Sequence, residues 1–225
     1  MRRSNRHRTV VLLSGGMDSA TCLAWAARRG SVVALTVEYG QRHRRELDSA
    51  RSLVRHFRVR AHLVVRLPLA TLARSSLTRP GRSIPRPAAR RTGIPSTYVP
   101  ARNTVLLGLA LSLAESTGAD GICIGANAID YSGYPDCRPE FLRAFEKVAR
   151  LGTRAGVESR RPIRVLAPLV RLSKAQIVRK GDALGVPWEL TWSCYRGGRV
   201  PCGACDACAL RAKGFREAGR VDPAV

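Results

Sequence analysis

Residues 8–19 read Arg8-Thr9-Val10-Val11-Leu12-Leu13-Ser14-Gly15-Gly16-Met17-Asp18-Ser19. A short run of β-branched and apolar residues passes straight into a glycine turn, the pattern of a buried parallel strand that delivers the chain to a loop. Residues 20–28, rich in Ala and Leu, follow as a helix with Gly30 as its expected C-terminal cap. Residues 31–39 read as a second strand, 41–57 as a helix with Leu47, Ala50, Leu53 and Val54 on its apolar side, and 60–67 as a third strand. Strand, helix, strand, helix, strand requires right-handed crossovers and a parallel sheet.

Residues 68–100 break this rhythm: they are rich in proline and arginine, without apolar periodicity, and read as a long, partly mobile loop over one sheet edge. Regular pattern then returns, with a helix over 101–117, a fourth strand over 121–125, a polar loop over 126–138, a helix over 139–151, a fifth strand over 163–166 and a helix over 173–184 capped by Ser173. The expected fold is α/β: a doubly wound, mainly parallel five-stranded sheet with a cysteine-bearing C-terminal appendage. The division expected is an ATP-binding α/β domain over 8–190, including the arginine-rich loop, and a zinc-binding segment over 191–217.

Composition narrows the class. The chain has 225 residues, 45% of them apolar, enough for one core. No stretch of eighteen apolar residues occurs, and the basic start lacks the apolar core of a secretory signal, so a soluble cytoplasmic protein is expected. Formal net charge is +23, carried by 35 arginines and four lysines. That balance favours polyanionic partners, tRNA, DNA or nucleotides, but the arginines are scattered and few aromatics interleave with them, so direct nucleic-acid binding is not favoured.

Two motifs carry chemistry. In Ser14-Gly15-Gly16-Met17-Asp18-Ser19 the glycines allow a sharp turn that brings backbone N–H groups to an anion, and the helix that follows points its positive end at the same place. Ser14 and Ser19 add hydroxyl donors, and Asp18 orients the loop or holds Mg²⁺. Neither a Walker ending nor GxGxxG spacing is present. A plain glycine-rich turn is the bland alternative. Near the C-terminus Cys194, Cys202, Cys205 and Cys208 follow a C-x7-C-x2-C-x2-C spacing. Four thiolates close a tetrahedral Zn²⁺ sphere and leave no place for a reactive water, so such a site is structural. Redox pairs or an iron–sulfur cluster are the alternatives. Cys22 and Cys123 read as small buried residues.

The glycine string resembles the SGGxDS loop of the ATP pyrophosphatase, or PP-loop, superfamily, in which ATP is split to AMP and pyrophosphate. Further strings refine this: Tyr39-Gly40-Gln41-Arg42-His43 with Glu46-Leu47, Tyr98-Val99-Pro100-Ala101-Arg102-Asn103, Gly125-Ala126-Asn127, Asp130 through Arg138, Pro168-Leu169 with Lys174, and the cysteine cluster. In this order, over 10–215, they resemble the QueC family of 7-cyano-7-deazaguanine synthases. The resemblance implies an adenine nucleotide alpha hydrolase-like fold and an ATP-dependent ligase of queuosine biosynthesis. Such an enzyme takes 7-carboxy-7-deazaguanine, ammonia and ATP through an adenylated carboxylate and an adenylated amide to the nitrile.

It also implies site residues. Leu13, Ser14, Gly15, Gly16, Met17, Asp18, Ser19, Ala20, Thr21, Cys22 and Leu23 form the ATP loop and its helix. Asp18, Lys174 and Arg102 serve catalysis, and Mg²⁺ accompanies ATP. Asn103, Asp130, Tyr131, Tyr134 and Asp136 meet the deazaguanine, while Glu38, Gln41 and His43 face the adenosine or the ammonia path. One structural Zn²⁺ sits on the four cysteines, and a homodimer is expected. The seven-residue cysteine gap is short for the family and the arginines of 71–91 match nothing in it, which leaves room for a mobile lid or an unusual partner. Other readings are a PP-loop enzyme acting on tRNA, a paralogue attaching a deazaguanine to DNA or protein, and a non-catalytic zinc-ribbon module.

Overall fold

The computed structural model describes residues 7–41, 44–73, 75–78, 93–128, 133–158 and 162–224. The chain runs β1 (His7–Leu12), α1 (Met17–Ala27), β2 (Gly30–Glu38), α2 (Arg45–His56), β3 (Ala61–Arg66), α3 (Leu69–Leu72), α4 (Arg102–Thr117), β4 (Gly121–Cys123), α5 (Pro139–Gly152), α6 (Arg154–Glu158), β5 (Arg164–Leu166), α7 (Lys174–Leu184) and α8 (Asp206–Ala218). The five strands pair in the order β3-β2-β1-β4-β5, every pair parallel. Winding proceeds one way from β1 through β3 and the other way through β4 and β5. It therefore reverses between β1 and β4, and the crevice at their carboxyl ends is where an open sheet of this kind receives ligand.

The two-residue strand period builds two cores. Val10 and Leu12, Val33, Leu35 and Val37, and Ile122 and Ile124 face one way, against Leu107, Ala110, Leu111 and Ala114 of α4 and Leu142, Phe145 and Ala149 of α5. Val11, Leu13, Ala34 and Cys123 face the other way, against α1, Ala50 and Leu53 of α2, Ile177 and Val178 of α7, and Phe215 of α8. Helices on both faces explain why the central strands are apolar without alternation. Cys22 and Cys123 are fully buried core residues, as their positions suggested. Among the described residues no helix is long and apolar enough to cross a membrane.

Several expected boundaries move. Gly30 does not cap α1; Arg28 does, and Gly30 opens β2 opposite His7, where a Cβ would collide with the His7 carbonyl. α1 begins at Met17 rather than residue 20, because the Gly16 carbonyl already accepts from the Ala20 N–H at 2.9 Å. The ends of the 68–100 stretch are packed rather than loose: Leu69, Ala73, Leu77 and Val99 form a small satellite core, and the Ser75 and Ser76 hydroxyls donate to the Ser96 carbonyl at 3.2 and 3.1 Å. Its arginine-rich middle, 79–92, lies outside the described residues.

Helix α8 was hidden within the cysteine segment, and it ties that segment to the sheet domain. It packs along α7, and Trp188 meets Phe215 edge-on with ring centroids 5.5 Å apart. Arg211 reaches Asp222 bidentately at 2.6 and 2.8 Å, the Thr191 hydroxyl at 2.7 Å and the Trp188 carbonyl at 3.1 Å. Both side chains of the Arg211–Asp222 pair are nearly inaccessible, 5% and 8% exposed. Removing one partner of such a pair strands the other charge, so Arg211→Ala should lower the unfolding free energy by about 3–5 kcal/mol. Urea unfolding would show this as a lower midpoint at unchanged slope, and a loss below about 1 kcal/mol would mean the pair anchors nothing.

Candidate active site

The loop leaving β1 is stitched together by its own hydroxyls. Ser19 Oγ donates to the Gly16 carbonyl at 3.0 Å, accepts from the Ser14 N–H at 3.2 Å and lies 3.1 Å from Ser14 Oγ, which itself accepts from the Gly16 N–H at 3.3 Å. Gly15 has φ +88°, and a side chain there would strike the Glu46 carbonyl and meet Ala50 and Ser49 of α2 at 2.9 Å. The turn is thus wedged under α2 where only hydrogen fits. From the opposite side the Trp192 N–H donates to the Gly15 carbonyl at 2.9 Å, joining the cysteine segment to the loop.

Asp18 stands in the first turn of α1. Its Oδ2 accepts from Lys174 Nζ at 2.6 Å and from Asn127 Nδ2 at 3.1 Å, while its Oδ1 is buried without a hydrogen-bond partner. Lys174 is the first residue of α7, and Ser173 caps that helix in a reciprocal box with Gln176. Lys174 is 8% exposed, so its charge is committed to the crevice rather than to solvent. Sequence reasoning placed these two residues in one site, and the structure brings them into contact.

The start of α4 forms the opposite wall. Asp136 caps it from thirty-three residues away, its Oδ2 accepting from the Asn103 N–H at 2.9 Å. Asn103 Nδ2 donates to the Asp136 carbonyl and lies against Cys137 Sγ, each at 3.1 Å. Arg102 projects over the Tyr39 ring at 5.8 Å. Tyr98 and Tyr134 lie nearly parallel at 6.1 Å, and the Tyr134 hydroxyl is 2.8 Å from Thr97 Oγ1. Burial pushes the Tyr39 phenol above its ordinary value. Burial also raises the Glu46 carboxyl to about 7, against the opposing pull of Arg102.

A cavity of about 280 Å³ joins these pieces, lined by Ser14, Gly16, Met17, Asp18 and Ser19 on the loop side and by Arg102, Asn103, Tyr134, Asp136 and Cys137 across from it, with Lys174 and Glu46 between. Leu13 and Gln41 line it as well, the latter accepting from the Tyr39 N–H at 2.8 Å. Ala20, Thr21, Cys22 and Leu23 instead face the core, where they hold α1 in place. Glu38 pairs with Arg66 at 2.6 Å and does not line the cavity. Asp130, Tyr131 and His43 lie outside the described residues. Sequence reasoning gave no role to Tyr39, Glu46, Tyr98, Trp192 or Tyr195, which all line the cavity; the first three lie within the quoted strings and the last two flank Cys194.

The four cysteines converge. The sulfurs of Cys194, Cys202, Cys205 and Cys208 all lie within 4.8 Å of one another. Tetrahedral coordination at about 2.3 Å per Zn–S bond needs a comparable spread, and four sulfur donors suit a closed structural metal site. Cys205 is the N-cap of α8 and Cys208 lies in its first turn, and burial raises both thiols above their ordinary value. The Arg196 and Cys202 N–H groups donate to Cys194 Sγ at 3.4 Å. Burial raises the Cys202 thiol, but N–H and sulfur neighbours outweigh it and bring it down to about 7.

Residues 8–219 match the family model described as queuosine biosynthesis protein QueC. A 7-cyano-7-deazaguanine synthase of Anaeromyxobacter sp. (strain Fw109-5) is 58% identical over 222 residues, covering 96% of this chain and 94% of the relative. That of Azoarcus sp. (strain BH72) is 54% identical over 220 residues, covering 96% and 95%. Among solved structures, an NMN synthetase from Francisella tularensis superposes with a TM-score of 0.51 at 14% identity, over 96% of this chain and 78% of that one, a likeness of fold alone. A match that begins at β1, ends beyond the last cysteine and spans the whole of this crevice makes the chain a member of the QueC family of queuosine biosynthesis proteins.

Proposed function

We propose how the residues of this chain, a 7-cyano-7-deazaguanine synthase and ATP-dependent ligase by its family, divide the work. The observation that carries the assignment is the Asp18–Lys174 pair at 2.6 Å, set where the glycine loop and the α1 N-terminus face the start of α4 across one cavity. Backbone N–H groups of the loop, with Ser14 and Ser19, hold the β- and γ-phosphates of ATP. Lys174 supplies a fixed positive charge to the phosphates and keeps Asp18 oriented. The unpartnered Asp18 Oδ1 fits a cation, and Mg²⁺ there would offset charge on the triphosphate.

The deazaguanine lies toward α4. The aromatic faces of Tyr98 and Tyr134 suit a flat heterocycle, Asp136 and Asn103 offer polar partners, and Arg102 holds the substrate carboxylate. That carboxylate attacks the α-phosphorus of ATP and expels pyrophosphate, after which ammonia displaces AMP to give the amide. The amide oxygen then attacks a second ATP in the same place and leaves as AMP, giving the nitrile. Cys194, Cys202, Cys205 and Cys208 would hold a structural Zn²⁺, which would fix the segment whose Trp192 N–H donates to the Gly15 carbonyl. The chain acts as a homodimer.

Purified protein given 7-carboxy-7-deazaguanine, Mg-ATP and ammonium should yield the nitrile and AMP by mass spectrometry. Accumulation of the amide alone, or no turnover by folded protein, would overturn this reading. Lys174→Met should slow substrate-dependent pyrophosphate release by about 100-fold or more, with far-UV circular dichroism unchanged. Elemental analysis should find one zinc per chain, and Cys205→Ser should lose it and lower the melting temperature by roughly 10 °C.

A further inference from the structure

We propose that the Glu46 carboxylate is the proton acceptor of the ligation, taking the proton released when ammonia displaces AMP from the adenylated carboxylate. The inference rests on the synthase reading above. Attack by the ammonia lone pair forms the C–N bond, and the C–O bond to AMP breaks with its electron pair leaving on AMP. The nitrogen arrives with three hydrogens and the neutral amide keeps two, so one proton must go to a base.

The cavity offers few groups able to take it. Asp18 Oδ2 is held by Lys174 and Asn127, and its Oδ1 is the oxygen assigned to the cation. Asp136 is committed to the N-terminus of α4. Lys174 and Arg102, as cations, have no lone pair to offer. Tyr39 is held protonated by burial, and Cys137 Sγ is in contact with Asn103. Among the described residues no histidine lines the cavity. Glu46 lines it, and no hydrogen bond among the described residues engages its carboxylate.

Its position is also suited to the step. Glu46 lies in the first turn of α2, whose backbone packs directly on Gly15 of the phosphate loop. The charged and titratable groups that face it are Arg102 from α4 and Tyr39 from the end of β2. Across the cavity stand the mutually paired Asp18 and Lys174. The carboxylate is therefore placed between the loop that holds the nucleotide and the arginine assigned to the substrate carboxylate, where the acyl adenylate forms. Burial lifts its pKa from the ordinary carboxylate range to about 7, Arg102 opposing. A base is most effective with a pKa near the working pH. The proton-accepting form is lost as pH falls through about 7.

The test compares metal-loaded wild type with Glu46→Gln and Glu46→Asp. Two rates are read between about pH 6 and pH 9: ATP–pyrophosphate exchange dependent on 7-carboxy-7-deazaguanine, and single-turnover amide formation expressed per free ammonia. In Glu46→Gln, exchange should stay within about threefold of wild type, while amide formation falls about 100-fold or more and loses its rising limb near neutrality. Glu46→Asp should keep the limb and part of the rate. Amide formation in Glu46→Gln within about threefold of wild type, or a limb that survives in it, would overturn the proposal. So would exchange that falls as far as amide formation in both variants, which would assign Glu46 to binding. A wild type that exchanges but makes no amide would instead fell the synthase reading, a result these arms distinguish.

Discussion

The contact on which the rest of this molecule turns is the ion pair between Lys174 and Asp18. It requires α7 to lie on α1 with its first residue pointing into the crevice, and the Ser173 cap sets where that residue falls. It also constrains α8: Gly214 passes so close that a Cβ there would sit 2.8 Å from Lys174 Cβ. Because Cys205 caps α8 and Cys208 lies in its first turn, a continuous path of packed backbone links the cysteine cluster to Lys174, and Lys174 to the glycine loop. The same cysteine segment returns to that loop a second time through Trp192 and Gly15. The cluster is therefore a clamp on the glycine-loop side of the crevice.

A buried pair of this kind is weak evidence for stability, since desolvating two ions consumes much of what their attraction returns. Its value lies in fixed charge. In the proposed assignment neither group would have to reorganise when a triphosphate arrives, since preorganised charge in a poorly solvated site acts more strongly than the same charge in water. Arg211 does comparable work for the fold, with every hydrogen-bonding direction directed at Asp222, Thr191 or the Trp188 carbonyl. One cation serves the site and the other serves the scaffold. Their neighbours in sequence alone would not separate the two.

Much of this was legible beforehand where chemistry and local pattern coincide. The run Val10 to Leu13, the glycine loop, the Ser173 cap and the four cysteines each carry their meaning within a few residues. What was not legible depends on distant approach. Gly30 looks like a helix cap until His7 is seen opposite it, and Gly15 looks merely flexible until α2 is seen above it. Asp136 reads as a ligand-facing carboxylate, whereas one of its oxygens caps α4 across the crevice. Helix α8 was obscured because its N-cap and a position of its first turn are cysteines, Cys205 and Cys208, which blurs its apolar stripe. Glu46 sits in a quoted string, but nothing local says that a first-turn glutamate will be enclosed beside an arginine.

The +23 charge invites an electrostatic account of the site, and the geometry argues against a simple one. Among the described residues, the carboxylates and cations along the cavity are Asp18, Glu46 and Asp136 against Lys174, Arg102 and Arg211, a formal balance. Two of the three cations are already matched, Lys174 by Asp18 and Arg211 by Asp222. A triphosphate entering such a crevice cannot be held by surplus side-chain charge within it. In the proposed assignment the oriented N–H groups of the loop, the positive end of α1 and an accompanying divalent cation would supply that holding power. The other described arginines do not line this cavity, and charge at a distance draws in anionic substrates over a range that shortens as salt is added.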